Sequence, residues 1–339
     1  MPTSAERRLP DWQRAYPGSV LSGRLRQAPE HFQVDEIADL SPTGDGEHDL
    51  LHIEKRGANT AWVARELARF ARVAARDVGY CGLKDRHAVT TQWFSVRRGR
   101  AVDWREVDIP GVRLLESTSH RRKLRRGAHR ANRFRIFVAG ASGEPAALER
   151  RIDEIRKGGV PNYFGPQRFG RDGANLDLAD AAFAGRRLSR SDRSHALSAA
   201  RAFLFNEILE ARVCAGNWNA ALDGEALNLD GSNSYFLSRQ EPDIEARIRR
   251  FDLHPTAALW GAGEPASTGA AGAFDREAVV RHETLARGLA AAGLRQERRA
   301  TRLRVAELEF ETGDDGVWVT FELRSGAFAT AVLREIVAP

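Results

Sequence analysis

The chain reads as an α+β protein with a mixed sheet, and three observations predict this. Several segments alternate apolar and polar residues with the period of a strand, among them FQVDEI, HDLLHIEK, FRIFV and GVWVTFEL. Others, such as ALSAARAFLFNEIL, repeat apolar residues at helical spacing. The strands follow one another through short connections with helices between groups, unlike the strict alternation of a doubly wound fold.

Taken in order, RLRQAPEHFQVDEI holds a turn at Pro29 and then a strand with Phe32, Val34 and Glu36 on one side. HDLLHIEKRG is a second strand with Leu51 and Ile53 on one face. Asn59 or Thr60 caps a helix in which Val63, Leu67, Phe70 and Ala74 share a stripe. GYCGLKDRHAVTTQWFSV follows as a short strand, a turn from Gly82 to His87, and a strand through Trp93, Phe94 and Val96. A basic run, SHRRKLRRGAHRAN, leads into a strand with Phe134, Ile136 and Val138 alternating. The helix AALERRIDEIRK ends at Gly158 and Gly159. NYFGPQRFG is a loop of Gly, Pro and aromatics, and a long helix begins beyond it with Ser194 as N-cap and Leu197, Leu204 and Ile208 inward. GAGEPASTGAAGAF, Gly261 to Phe274, has the composition of a flexible linker. Two more strands and a turn into a final helix, SGAFATAVLREIV, complete the chain.

With 339 residues, two domains are expected. The 42% hydrophobic and 29% charged content is that of a globular protein. No apolar run approaches the ~20 residues of a membrane span. MPTSAERRLPDWQRAYPG lacks the apolar stretch of a signal peptide. Cys81 and Cys214 form neither a disulfide framework nor a metal-ligand spacing. The expectation is a cytoplasmic protein with no membrane association and no structural metal. The net charge of +6, from 52 basic and 46 acidic residues, permits a polyanionic partner without requiring one.

The common catalytic signatures are missing. There is no GxxxxGK[ST] phosphate loop, no HExxH or zinc deaminase pattern, and no GxSxG elbow. Asp85 stands out instead, set between Lys84 and Arg86 in the turn. One reading is a charged surface loop; the other is an aspartate kept ionised for chemistry. A carboxylate beside a cation is a poor general base at neutral pH, but it suits a nucleophile or a counter-charge to a developing cation. The run from Arg121 to Arg130 also has two readings, a solvated loop or a phosphate-binding surface. Asn132 and Phe134 just beyond it are placed to hydrogen-bond and stack on a base. NYFGPQRFG reads as a structural turn plugged by its aromatics.

Six segments together resemble the TruD family of tRNA pseudouridine synthases: PEHFQVDEI, GLKDRHAVTTQWF, RRKLRRGAHRANRF, GVPNYFGPQRFG, LSAARAFLFNEIL and SGAFATAVLREI. They keep the family's order and run from Pro29 to Ile336. The resemblance implies a catalytic domain with a mixed, mainly antiparallel sheet flanked by helices, formed by residues 1–159 and 301–339. An α/β insertion domain, residues 160–300, interrupts it. It implies conversion of a tRNA uridine, at position 13, to pseudouridine, with no cofactor, no metal and no obligatory protein partner. Asp85 matches the catalytic aspartate, Phe32 the aromatic that contacts the target base, and Asn132 a polar substrate contact. Phe134 and Phe328 match further aromatics of the substrate site. Where the family often has lysine this chain has Arg26, a candidate charge partner for Asp85. Arg334 in AVLREI is the other. Lys84, Arg121, Arg122, Lys123, Arg125 and Arg126 are expected phosphate contacts. Two other classes compete: an RNA-binding protein without catalysis, which would need no aspartate here, and a metal-dependent nuclease, which would want several clustered acids.

If the basic run holds phosphates, replacing Arg121, Arg122 and Arg125 together by alanine should flatten the salt dependence of tRNA binding. The log–log slope should fall by roughly 0.7–0.9 for each phosphate no longer neutralised. An unchanged slope would leave the run as solvated surface.

Overall fold

The computed structural model describes residues 9–99, 101–232, 234–238 and 242–338. The chain forms two compact units. One comprises Val20–Leu148, Val305–Ala327 and Ala338–Pro339; the other comprises Met1–Ser19, Glu149–Arg304 and Phe328–Val337.

The first unit is built on a nine-stranded sheet. Its strands are β1 (Ser22–Leu25), β2 (Phe32–Ile37), β3 (His48–Arg56), β4 (Val78–Tyr80), β5 (Val89–Arg97), β6 (Val112–His120), β7 (Ala131–Ser142), β8 (Ala306–Gly313) and β9 (Gly316–Arg324). The order is β8-β9-β7-β2-β5-β3-β6, with β1 added to β7 and β4 to β5. Every pairing among the described strands is antiparallel except β2 with β5. The expected mixed, mainly antiparallel sheet is therefore present.

Register decides which side chains meet, because directly paired residues point to the same face of a sheet. Phe32, Val34 and Glu36 on β2 lie opposite Ile136, Phe134 and Asn132 on β7. Val34 also pairs with Thr90 of β5, and Thr90 pairs with Lys55 of β3. One face of the sheet thus gathers Phe32, Glu36, Lys55, Asn132 and Phe134. On that face the helix α1 (Thr60–Ala71) buries Val63 and Leu67 against Leu51, Ile53 and Phe94. Asn59 is its N-cap, accepting the amide of Ala61 at 2.9 Å. The helix ends before Ala74, because Arg72 turns into the left-handed region with φ of 56°.

The second unit packs the helix Arg190–Cys214 against the helices Ala174–Phe183, Gly269–Arg281 and Glu283–Ala291. A four-stranded antiparallel sheet accompanies them. Tyr163, Phe164 and Phe169 of NYFGPQRFG are buried in this core, and Trp12 stacks on Tyr163 with ring centroids 6.0 Å apart. The aromatics of that loop are packing residues, as its composition led one to expect.

Two expectations need correction here. The long helix begins at Arg190, capped by Ser189 accepting the Asp192 amide, so Ser194 is interior rather than the cap. The segment expected as a linker contains the start of the helix Gly269–Arg281, whose Ala271, Gly272 and Ala278 are buried. Small residues that read as flexible in isolation here allow close packing of a helix.

Candidate active site

Asp85 lies in the connection between β4 and β5, and the main chain of that loop is tied down residue by residue. The Gly82 carbonyl accepts from Gln92 Nε2 at 3.2 Å. The Lys84 amide donates to Thr60 Oγ1 at 3.0 Å, and Thr60 Oγ1 in turn donates to Gln92 Oε1 at 2.9 Å. The Asp85 carbonyl accepts from Lys55 Nζ at 2.7 Å, and Lys55 also donates to the Ala58 carbonyl at 2.8 Å. Thr60, Gln92 and Lys55 are all fully buried. Hydrogen-bonded burial of this kind is costly to break, since each orphaned polar group loses its water without a replacement.

Lys84 departs from its expected role as a phosphate contact. Its side chain is 4% exposed, and its ammonium lies 2.7 Å from the carboxylate of Glu36, which is fully buried. Glu36 Oε1 also accepts the amide of Trp93. A lysine buried on a carboxylate cannot also reach RNA, so this cation serves to hold the loop on β2.

The Asp85 carboxylate is 57% exposed despite its tethered backbone. Of the two candidate cations, Arg26 is the one beside it, with Nη2 3.4 Å from Asp85 Oδ2. The same guanidinium lies over the ring of Phe32, 4.1 Å from its centroid. Arg26 follows β1 with φ of 58°, a left-handed backbone that costs a non-glycine residue of order 1 kcal/mol. Such strain recurs at sites where a side chain must be aimed. Arg334 belongs to the second unit, where its guanidinium bonds the Trp12 carbonyl, lies 3.5 Å from Asp11 and covers the Tyr163 ring at 4.7 Å.

The other sequence-derived residues divide in the same way. Phe32, Phe134 and Asn132 are buried in the sheet unit. Phe134 meets Phe32 edge-on at 6.2 Å and stacks on Phe321 at 5.4 Å. Phe32 is therefore not an open stacking face in this structure: one side carries Arg26. Phe328 lies in the second unit against Phe164 and Arg168. In the basic run, Arg121, Arg122, Lys123, Arg125 and Arg126 are exposed while Leu124 is buried beneath them. Arg121 pairs with Asp45 at 2.8 Å, Arg126 lies 4.1 Å over the Tyr80 ring, and Lys123 donates to the Arg76 carbonyl.

Lys55 and Glu36 are the site residues that sequence reasoning did not single out. A signal was there: both sit at core-facing positions of alternating strands, Lys55 after Leu51 and Ile53, Glu36 after Phe32 and Val34. A charge at a core-facing position is rarely buried unless it is paired.

Comparisons with known proteins identify the family and the fold. The family described as tRNA pseudouridine synthase D (TruD) matches residues 16–178 and 177–336. A tRNA pseudouridine synthase D from Methylococcus capsulatus is 48% identical, over 96% of this chain and 94% of that protein. One from Xanthomonas axonopodis pv. citri is 46% identical, over 95% and 93%. A solved structure from Methanosarcina mazei, provisionally assigned to tRNA pseudouridine synthase D, superposes with a TM-score of 0.79 at 22% identity, covering 95% of each chain. That structural likeness establishes the shared α+β fold. The sequence matches go further: this chain belongs to the TruD family of tRNA pseudouridine synthases, isomerases that convert uridine to pseudouridine. Among the described residues no helix is long and apolar enough to cross a membrane.

Burial pushes the Lys55 ammonium down to about 8, against the opposing pull of Asp85 and with a smaller push from Lys84. Between about 8 and the unfolded value of 10.5 the unfolded chain binds more protons than the folded one, so Lys55 makes stability rise with pH in that window. Urea titrations of the wild type and Lys55→Met should therefore diverge in the wild type's favour as pH rises from about 8 to 10. Parallel curves would show that Lys55 titrates normally.

Proposed function

We propose that this chain isomerises uridine 13 of tRNA, with Asp85 as the catalytic carboxylate and Arg26 as its charge partner. One observation carries the assignment: on a loop whose backbone is fixed by Lys55, Thr60 and Gln92, the Asp85 carboxylate is left open to solvent, 3.4 Å from a guanidinium. A tethered backbone with an accessible charged group is what preorganised electrostatic catalysis requires.

The target base must first leave its stack, at a cost of a few kcal/mol that interactions with the flipped base repay. The bond from C1′ to N1 then breaks, the uracil turns, and C1′ joins C5; the C5 proton is lost and N1 gains one. Asp85 acts ionised in either of two routes, attack on C1′ or assistance to proton removal at C2′. Arg26 balances its charge before the reaction and can follow the carboxylate as C1′ changes. Its stacking on Phe32 restricts where it can go. Entry of a base against Phe32 requires that guanidinium to shift, which couples substrate entry to the Asp85 ion pair. Phe134 completes the proposed aromatic pair of the sheet unit, with Asn132 at the uracil edge; Phe328, in the second unit against Phe164 and Arg168, is proposed as a substrate contact by family resemblance alone. Arg334, engaged with Asp11 and Tyr163, is assigned a supporting role in its own unit.

The reaction involves no net redox change and no second substrate, so the proposal calls for no cofactor and no metal. Its partner is tRNA, held at the phosphates by the exposed arginines at 121, 122, 125 and 126. No protein partner is needed, and the proposed compartment is the cytoplasm. Residues 1–159 with 301–339 form the proposed catalytic domain, which includes the sheet unit carrying Asp85, and 160–300 the proposed insertion domain.

The test is to incubate the wild type and Asp85→Asn with an unmodified tRNA transcript and map pseudouridine. The wild type should form it at position 13. The variant should bind the transcript with near-wild-type affinity and form at least 1,000-fold less product, a loss of about 4 kcal/mol in transition-state stabilisation. Product from the variant within tenfold of wild type would remove Asp85 from the chemistry.

A further inference from the structure

Asn132 and His129 leave an unusual pair of unsatisfied atoms. Both side chains are buried, and Asn132 Nδ2 lies 3.3 Å from His129 Nε2. Asn132 Oδ1 and His129 Nδ1 have no hydrogen-bond partner among the described residues. A buried carbonyl oxygen without a donor costs ~1–3 kcal/mol, so the arrangement calls for a reason.

With Asn132 Nδ2 placed against the ring, hydrogen-bond chemistry fixes the tautomer. An amide nitrogen can only donate, so Nε2 must be the unprotonated, accepting atom of the ring, and neutral His129 then carries its proton on Nδ1. With the NH2 turned to the ring, Oδ1 points the other way. Asn132 stands on the sheet face of Phe134, its neighbour but one on β7, and of Glu36, its direct partner on β2. Uracil carries a donor at N3–H; cytosine at the same atom carries an acceptor. A fixed carbonyl oxygen accepts from the first and repels the second.

Resting on the reading of this site as a uridine isomerase, we infer that His129 is a positioning residue for base recognition. Neutral His129 holds the Asn132 amide with Oδ1 free to accept the N3–H of the target uracil. Protonated His129 donates from Nε2 and draws Oδ1 to itself, so the amide presents NH2 to the base and the hydrogen bond to uracil is broken. No other residue needs to move for this reversal; an amide half-turn suffices.

The charged groups facing the ring are few. Burial is the largest influence and disfavours the imidazolium; Lys84 on the loop adds to it, and Glu36 on β2 opposes it. Together they hold His129 below the ordinary 6.5, so the neutral form prevails at neutral pH.

Two measurements test this. Nitrogen-15 NMR of the His129 ring near pH 8 should show the proton on Nδ1 and an unprotonated Nε2; the opposite tautomer would overturn the inference. The kcat/KM for a tRNA transcript should fall on the acid side with the same midpoint as the His129 ring titration, approaching about tenfold per pH unit below it. His129→Gln, which retains an acceptor and does not titrate, is compared by the shape of its profile and not its level: the acid fall should vanish. An unchanged acid limb in that variant would overturn the inference, and should the variant not fold, the ring tautomer and the agreement of midpoints in the wild type decide. A wild type inert at pH 8 would sink the isomerase reading and this inference with it; an active wild type with the wrong tautomer sinks this inference alone.

Discussion

The buried ion pair between Lys84 and Glu36 is the constraint on which the site depends. It fastens the loop carrying Asp85 to the central strand β2 from within the core, where removing one partner typically costs about 3–5 kcal/mol because the other is left charged and unpaired. Lys55 and Thr60 bond the loop's backbone from β3 and α1. With Gln92 of β5 bonding the Gly82 carbonyl, four elements converge on the loop, three of them on its main chain. The consequence is a division of labour within a dipeptide: Lys84 turns inward to hold, and Asp85 turns outward, where the proposed chemistry needs a carboxylate.

Arg26 illustrates a different economy. Its ion pair with Asp85 is about half exposed on both sides, and pairs of that kind contribute only about 0–1 kcal/mol to stability. The strained backbone at Arg26, of order 1 kcal/mol, is enough to cancel such a gain. The interaction makes sense as orientation. Phe32 below and Asp85 beside confine a long side chain to one small region, and a fork of donors there can keep hold of a carboxylate that moves.

Much of this was legible in the sequence. Period-two alternation located β2, β3, β7 and β9, the cap at Asn59 located α1, and the segment around Asp85 located β4, β5 and the loop between them. What could not be read was direction. Lys84 and Asp85 are adjacent charged residues in a turn, and which of them points inward depends on Glu36, 48 positions earlier in the chain. The partner of Asp85 had two candidates from sequence, and only closure of the sheet set Arg26 beside it while Arg334 found Asp11 and Tyr163. Composition misled at Gly261 to Phe274, where small residues serve helix packing that a local reading cannot foresee. Glu36 and Lys55 were visible as charges at core-facing positions; their meaning required knowing that both faced the same loop.

Amide hydrogen exchange at Lys84 probes the central claim most directly, because that N–H is bonded to buried Thr60 only while the loop is fastened. The account predicts protection comparable to the amides of β5 in the wild type, and its collapse in Glu36→Gln while the β5 amides stay protected. Rapid exchange at Lys84 in the wild type, at the rate of an open surface loop, would contradict it.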